Sequence, residues 1–350
     1  MYNFHSQLQQ QEFHQSGKIF AQCPSNIALI KYWGKKDIQI PMNPSLSFTL
    51  NESNTQTTLQ FKPKTAENFS LTIFLDNELK PDFSPKIHQF FNRIEEFLPF
   101  LKKFDFEIRT HNTFPHSSGI ASSASGMGAL ALCLVQLENQ LGGNLTEEEV
   151  LRKASFLARL GSGSACRSIY PGITVWGKSK EIKGSSDEYA IAYPYEIHEV
   201  FQNFQDTILL IDEGEKEVSS TAGHNLMNNH PYAAQRFESA NENLKHLIPV
   251  LKSGDLETFG RIVEHEALSL HAMMMTSFPY YILMKPNTLS AIEKIWNFRR
   301  ETRLPLFFTL DAGANVHLLY PKKDQIKIKE WIKELQIYCS NHKIIEDFTI

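Results

Sequence analysis

A chain of 350 residues can form one large domain or two of ordinary size, and 42% hydrophobic with 21% charged residues is the balance of a globular protein. A net charge of −4 without any basic run argues against nucleic acid or an anionic membrane as main partner, so a phosphorylated ligand would need local positive charge. No apolar run reaches the ~18 residues of a membrane span, no secretory signal opens the chain, and Cys23, Cys133, Cys166 and Cys339 lie far apart, which together predict a reducing, cytoplasmic setting without disulfides or structural zinc.

Residues 1–18 are glutamine-rich and are predicted to be a flexible arm. Ile27–Ile30 is expected as a buried strand that runs into Lys31-Tyr32-Trp33-Gly34-Lys35, a cluster that suits either a solvated strand end or the anion-binding edge of a cleft. Strands follow at 45–50, 57–61 and 70–75, with a turn at Asp76-Asn77. The spacing of Ile87, Phe90, Phe91, Ile94, Phe97 and Leu98 predicts a helix from Pro85 to Leu101, and Phe104–Ile108 is extended again.

Next comes Pro115-His116-Ser117-Ser118-Gly119-Ile-Ala121-Ser122-Ser123-Ala-Ser125-Gly126, opening a helix whose first half is apolar all round and which ends at Gly142-Gly143. Small residues let the backbone approach a ligand, and unpaired N–H groups at a helix start attract an anion. The stretch is therefore a phosphate cradle or, more plainly, a Ser/Gly cap on a buried helix; it is neither a Walker A loop nor a dinucleotide fingerprint. Thr146 with Glu149 forms a capping box for a helix to about Leu160. Gly161-Ser162-Gly163-Ser164-Ala-Cys166-Arg167-Ser168 can gather several donors and one forked cation on an anion, or serve as an ordinary connection.

Short strands are expected at 172–176 and 189–193, and Thr207–Ile211 is expected as the first strand of a second unit. A hydroxyl-rich turn, Val218–His224, precedes helices over 231–251, bent or ended at Pro249, and over 255–275. His265 and His271, six apart, lack the spacing of a zinc helix and are assigned to structure, as is Met273–Met275 to the core. Asn287–Arg303 is helical with Leu289, Ile292 and Trp296 on one face, and Asp324–Ser340 is a last helix. Between them two apolar strands flank Asp311-Ala-Gly313-Ala314-Asn315, where Asp311 is either a turn former or a fixed base. Strands and helices mixed twice over predict an α+β protein in two parts, 19–205 and 206–350.

Four segments, Asn26–Lys35, Phe114–Gly126, Gly161–Ser168 and Asp311–Asn315, occur in the order found in diphosphomevalonate decarboxylases of the GHMP kinase superfamily, and the chain resembles that family from about residue 20 onward. The resemblance implies a ribosomal-S5-like N-terminal half and a ferredoxin-like C-terminal half with the active site between them. It implies ATP-dependent conversion of mevalonate 5-diphosphate to isopentenyl diphosphate, with ADP, phosphate and CO2 released, Mg²⁺ as cofactor and a homodimer as the working form. By the same resemblance Asp311, Lys31 and Arg167 are catalytic. Asn26, Tyr32, Lys35, Ser162, Ser164, Arg167, Ser220 and Thr221 hold the substrate, and Ser117, Ser118, Gly119, Ala121, Ser122, Ser123 and Ser125 hold ATP; no protein metal ligand is assigned. His116 and Ala314 depart from the family pattern. The alternatives are a decarboxylase of mevalonate 5-phosphate, a mevalonate 3-kinase, or a non-catalytic ligand-binding relative; the presence of both Lys31 and Asp311 favours the full reaction.

Overall fold

A computed structural model of the chain describes residues 2–8, 12–114, 122–214 and 218–349. The chain opens with β1 (Gly17–Ile30), the short pair β2 (Lys35–Lys36) and β3 (Ile40–Pro41), and the long β4 (Ser45–Pro63). Then follow β5 (Leu71–Leu75), β6 (Glu78–Leu79), α1 (Ser84–Ile94), β7 (Phe104–Asn112), α2 (Ser122–Glu138), α3 (Glu147–Gly161), β8 (Ile173–Trp176) and β9 (Ile191–Ala192). The remaining elements are β10 (Gln205–Leu209), α4 (Ser220–Asn225), α5 (Ala233–Ser253), α6 (Leu256–Met275), α7 (Pro286–Thr302), β11 (Phe307–Thr309), β12 (Val316–Tyr320), α8 (Gln325–Ile332) and β13 (Ile344–Phe348).

The architecture is α+β. One sheet runs β6-β5-β7-β4-β8-β9 with β1 paired to β4, all antiparallel except β5 with β7; the other is the antiparallel β11-β12-β10-β13. The two strands predicted at 45–50 and 57–61 are one strand, β4, held along its length by β1 from Gly17↔Phe61 to Ile30↔Leu46. The apolar helix α2 is buried on almost every face, as its composition requires. Gly128 lets it approach β1, since a Cβ there would lie 2.4 Å from the Cys23 sulfur.

A ring cluster joins the two sheets: Phe48 of β4 meets Phe204 and Phe259, and Phe259 meets Phe307 of β11, with centroids 5.4–6.2 Å apart along the chain of contacts. Near the C-terminus the Asp347 carboxylate accepts the N–H groups of Asn51, Glu52 and Ser53 at 2.7–2.9 Å, tying β13 back onto β4. The halves therefore share a core.

Several expectations need correction. The N-terminal segment is docked where it is described: Phe4 and Leu8 are buried, and Phe4 stacks on Phe156 at 3.9 Å, because two apolar side chains among glutamines suffice to anchor it. Helix α1 stops at Ile94, and Pro99–Lys103 forms a separate 3-10 turn. Pro249 leaves α5 intact as far as Ser253, since the Lys245 carbonyl it deprives of a partner lies on the exposed side and can take water. Helix α7 buries Ala291, Ile292, Ile295 and Phe298, leaving Leu289 half exposed, and Met275 likewise faces outward beside buried Met274. The last helix remains α-helical only to Ile332 and tightens to 3-10 geometry up to Tyr338.

Candidate active site

Strand β1 ends at Ile30, and Gly34, at φ +96°, turns the chain back. The turn places Lys31 inside the protein, 1% exposed, with its Nζ 2.9 Å from an Asp311 carboxylate oxygen. Asp311 stands just past β11, in the turn between two buried strands, and its side chain keeps 29% exposure toward a cleft of about 510 Å³. Burial lowers the Lys31 pKa, against the pull of Asp311.

Helix α6 holds both members of that pair. Its fully buried Glu266 accepts the Lys31 backbone N–H at 2.8 Å, is clamped by Arg236 at 2.7 and 3.1 Å, and accepts from Asn243 at 2.6 Å. One and a half turns on, His271 donates from Nε2 to the Asp311 carbonyl at 3.1 Å. Asn43 closes the other side by donating to the Lys31 carbonyl at 2.9 Å. One rigid helix thus sets the relation between a strand end of one half and a turn of the other.

Arg167 lies on the 3-10 segment after α3, 3% exposed, at the wall of the same cleft. It donates to Asn26 at 3.3 Å, Ser47 at 3.1 Å and Ser45 at 2.6 Å, all neutral oxygens. Asn26 in turn donates to Ser168 at 2.8 Å, which orients its carbonyl toward the guanidinium. Among the described residues no carboxylate pairs with this buried cation, and such a charge calls for an anion from outside. Beside it the Tyr32 hydroxyl is buried with no hydrogen-bond partner among the described residues, and its pKa is raised by burial.

The cleft collects most of the residues singled out in the sequence. Lys31, Tyr32, Lys35, Ser162, Ser164, Arg167, Ser220, Thr221 and Asp311 line it, as do Ser122 and Ser123 at the start of α2, while Asn26 acts from behind Arg167. Ser123 and Ser162 stand with their hydroxyls 3.5 Å apart, so the start of α2 meets the segment that follows α3. Ser125 does not reach the cleft: it is fully buried and bonds Thr55 at 2.7 Å, because it lies on the inward face of α2. Ser117, Ser118, Gly119 and Ala121, with His116, lie outside the described residues.

Sequence reasoning missed Lys86 and His224, which also line the cleft, as well as Glu266 and Arg236 behind it. Lys86 shares α1 with one other charge, Arg93, and nothing in its spacing marks it; Glu266 looks like any helical glutamate until its partners, 30 and 235 positions away, are known. Lys86, Ser122 and Ser123 also border a second cavity of about 220 Å³ whose walls are Ile73, Leu75, Phe83, Ile87, Ile108 and Met127. Among the described residues no three His, Cys, Asp or Glu side chains gather as a metal site, no helix is long and apolar enough to cross a membrane, and all four cysteines are free and buried.

Residues 23–190 match the model of a diphosphomevalonate decarboxylase-like N-terminal domain, and residues 207–349 that of a mevalonate 5-diphosphate decarboxylase C-terminal domain. The chain is 30% identical over 337 residues to the diphosphomevalonate decarboxylase of Saccharomyces cerevisiae, covering 89% of this chain and 80% of the yeast protein. Among solved structures it is similar to mevalonate diphosphate decarboxylase from Staphylococcus aureus, with a TM-score of 0.82, 30% identity and 96% of each chain covered. It is also similar to MDDEF in complex with MVAPP, AMPPCP and magnesium, with a TM-score of 0.81, 30% identity, and 95% and 97% covered.

Proposed function

The chain belongs to the diphosphomevalonate decarboxylase family, an ATP-dependent decarboxylase with the GHMP kinase fold acting in the mevalonate pathway, and we propose that its cleft converts mevalonate 5-diphosphate to isopentenyl diphosphate through the residues just described. ATP is the co-substrate and Mg²⁺ its companion. The observation that carries the residue assignment is the Lys31–Asp311 pair facing the same cleft as a buried Arg167 whose hydrogen bonds all go to neutral oxygens.

A tertiary hydroxyl is a poor leaving group, so it is phosphorylated first. Asp311 accepts the proton as the 3-hydroxyl oxygen attacks the γ-phosphorus and ADP departs. Placement matters more than basicity here, and such help is worth ~100- to 10,000-fold. Lys31 stabilises charge on the phosphoryl group in transit. The new phosphate then leaves C3 with its bonding pair, the C1–C2 bond breaks, its electrons form the C2–C3 double bond, and CO2 is released. Arg167 grips the C1 carboxylate and is itself neutralised by it, which is why its own shell offers only dipoles.

Tyr32, Lys35, Ser162, Ser164, Ser220 and Thr221 hold the diphosphate end. The hydroxyls of Ser122 and Ser123 and the loop before them hold the ATP phosphates at the start of α2. The apolar cavity beside Lys86 accepts the adenine. The hydroxyls of Ser122 and Ser123 are oxygen donors that would suit Mg²⁺, which would supply charge neutralisation at the nucleotide's phosphates when bound. The protein works in the cytoplasm as a homodimer, which sedimentation of the purified chain checks. The decisive assay follows ADP and CO2 with mevalonate 5-diphosphate and mevalonate 5-phosphate in parallel. Equal yields of both products from the diphosphate support the reading. ADP without CO2 makes the protein a 3-kinase, and preference for the monophosphate makes it the other decarboxylase.

A further inference from the structure

His224 lies on α4 at the edge of the cleft, 7% exposed, with its ring against Tyr32 at 4.3 Å and Trp33 at 4.6 Å. Its Nδ1 is 3.0 Å from the backbone nitrogen of Gly34. A backbone N–H can only donate, so Nδ1 carries the lone pair and the ring proton sits on Nε2. No described residue accepts that proton. The two aromatic neighbours restrict rotation of the ring, so the donor is fixed in direction.

Burial first, and then the charges of Lys35 and Arg167, push the His224 pKa down to about 3, and the imidazole stays neutral. Ser220 and Thr221 stand four and three residues earlier on the same short helix, hence on the same face, and line the same cleft. Two hydroxyls, a neutral N–H donor and the Lys35 ammonium make a donor set for phosphoryl oxygens: one charge to attract, several dipoles to orient.

We propose that His224 is a substrate-binding residue whose Nε2–H donates to a phosphoryl oxygen of the diphosphate and so helps select the doubly phosphorylated substrate. The inference rests on the reading of the cleft given above. A cation such as Lys35 attracts one phosphate nearly as well as two, whereas a fixed donor rewards an oxygen at one place only.

The test compares His224→Leu with His224→Gln in the full-length protein. Both remove the acceptor for the Gly34 N–H, so any loss of structure is common to them, but glutamine returns an N–H near the Nε2 position. His224→Leu should raise the KM for mevalonate 5-diphosphate about 10- to 100-fold, the strength of one hydrogen bond to a charged acceptor. The KM for ATP and kcat should stay within about threefold, and His224→Gln should recover most of the loss. Titration with inorganic pyrophosphate should show the same order, wild type and Gln tighter than Leu. A Leu variant with unchanged KM and pyrophosphate affinity, a Gln variant as poor as Leu, or an ATP KM raised equally would overturn the proposal. The pyrophosphate titration stands without turnover, so a wild-type protein that binds pyrophosphate through His224 yet fails to release CO2 would refute the proposed reaction and leave the site assignment standing.

Discussion

Replacing Asp311 with asparagine keeps the size of the side chain and removes both its basicity and its charge. Loss of a positioned base costs ~1,000-fold in kcat, about 4 kcal/mol of barrier, within the range for general-base assistance. Substrate is held by other residues, so the KM values for ATP and mevalonate 5-diphosphate should change little. The variant also strips the buried Lys31 of its anion at 2.9 Å. Breaking a buried pair costs roughly 3–5 kcal/mol, but Asp311 is partly exposed and Lys31 can shed its proton, which leaves about 1–3 kcal/mol of lost stability. The sign with pH follows. The Lys31 pKa already sits below its ordinary value, and removing Asp311, which raises it, lowers it further. Between that lowered value and the ordinary 10.5 the unfolded chain binds the proton more tightly, so stability rises with pH across this window. That window opens at a lower pH in the variant than in the wild type, so the stability deficit of Asp311→Asn should shrink as pH rises from the variant's Lys31 pKa to the wild-type one and stay constant above it. The measurements are steady-state release of ADP and CO2 at saturating substrates, and urea unfolding at several pH values. Turnover within tenfold of wild type, or KM values that rise as far as kcat falls, would refute the role given to Asp311.

Arg167→Lys keeps a charge but cannot reach Asn26, Ser45 and Ser47 together, so the carboxylate is held loosely. It should lower kcat/KM ~100-fold and drop the CO2-to-ADP ratio below one, as read by trapping both products. Glu266→Gln leaves Arg236 buried without its anion and should cost roughly 3–5 kcal/mol in urea unfolding, with kcat falling more than either KM changes. Gly260→Ala would place a methyl 1.9 Å from the Phe307 ring where α6 crosses β11, so thermal unfolding should show a loss of roughly 1–3 kcal/mol or more, together with reduced kcat because α6 also carries Glu266 and His271.

Much of the site was legible because its chemistry is concentrated in short strings. Asn26–Lys35 and Gly161–Ser168 each carry several cleft residues and Asp311–Asn315 carries Asp311 and Ala312, since a strand end or tight turn can present neighbours to one ligand. Helical residues were harder. Ser125 has the composition of its loop but the phase of α2, and phase turned it toward Thr55. Leu289 and Met275 look like core residues by type, yet about a third of a helix turn separates them from the centre of the buried stripe.

The sequence by itself determined which groups are available: a lysine ending an apolar strand, an aspartate in a tight turn, an arginine among glycines and hydroxyls, and an apolar helix that had to be buried. These are local properties, set by the side chains and by the backbone freedom of a few glycines. Only the tertiary structure decided that Lys31 and Asp311 meet, because that contact spans 280 positions and depends on α6 holding both backbones. It also decided that His224 stays neutral beside two cations and that Arg167 is buried among dipoles, since charge and desolvation depend on which segments are packed together.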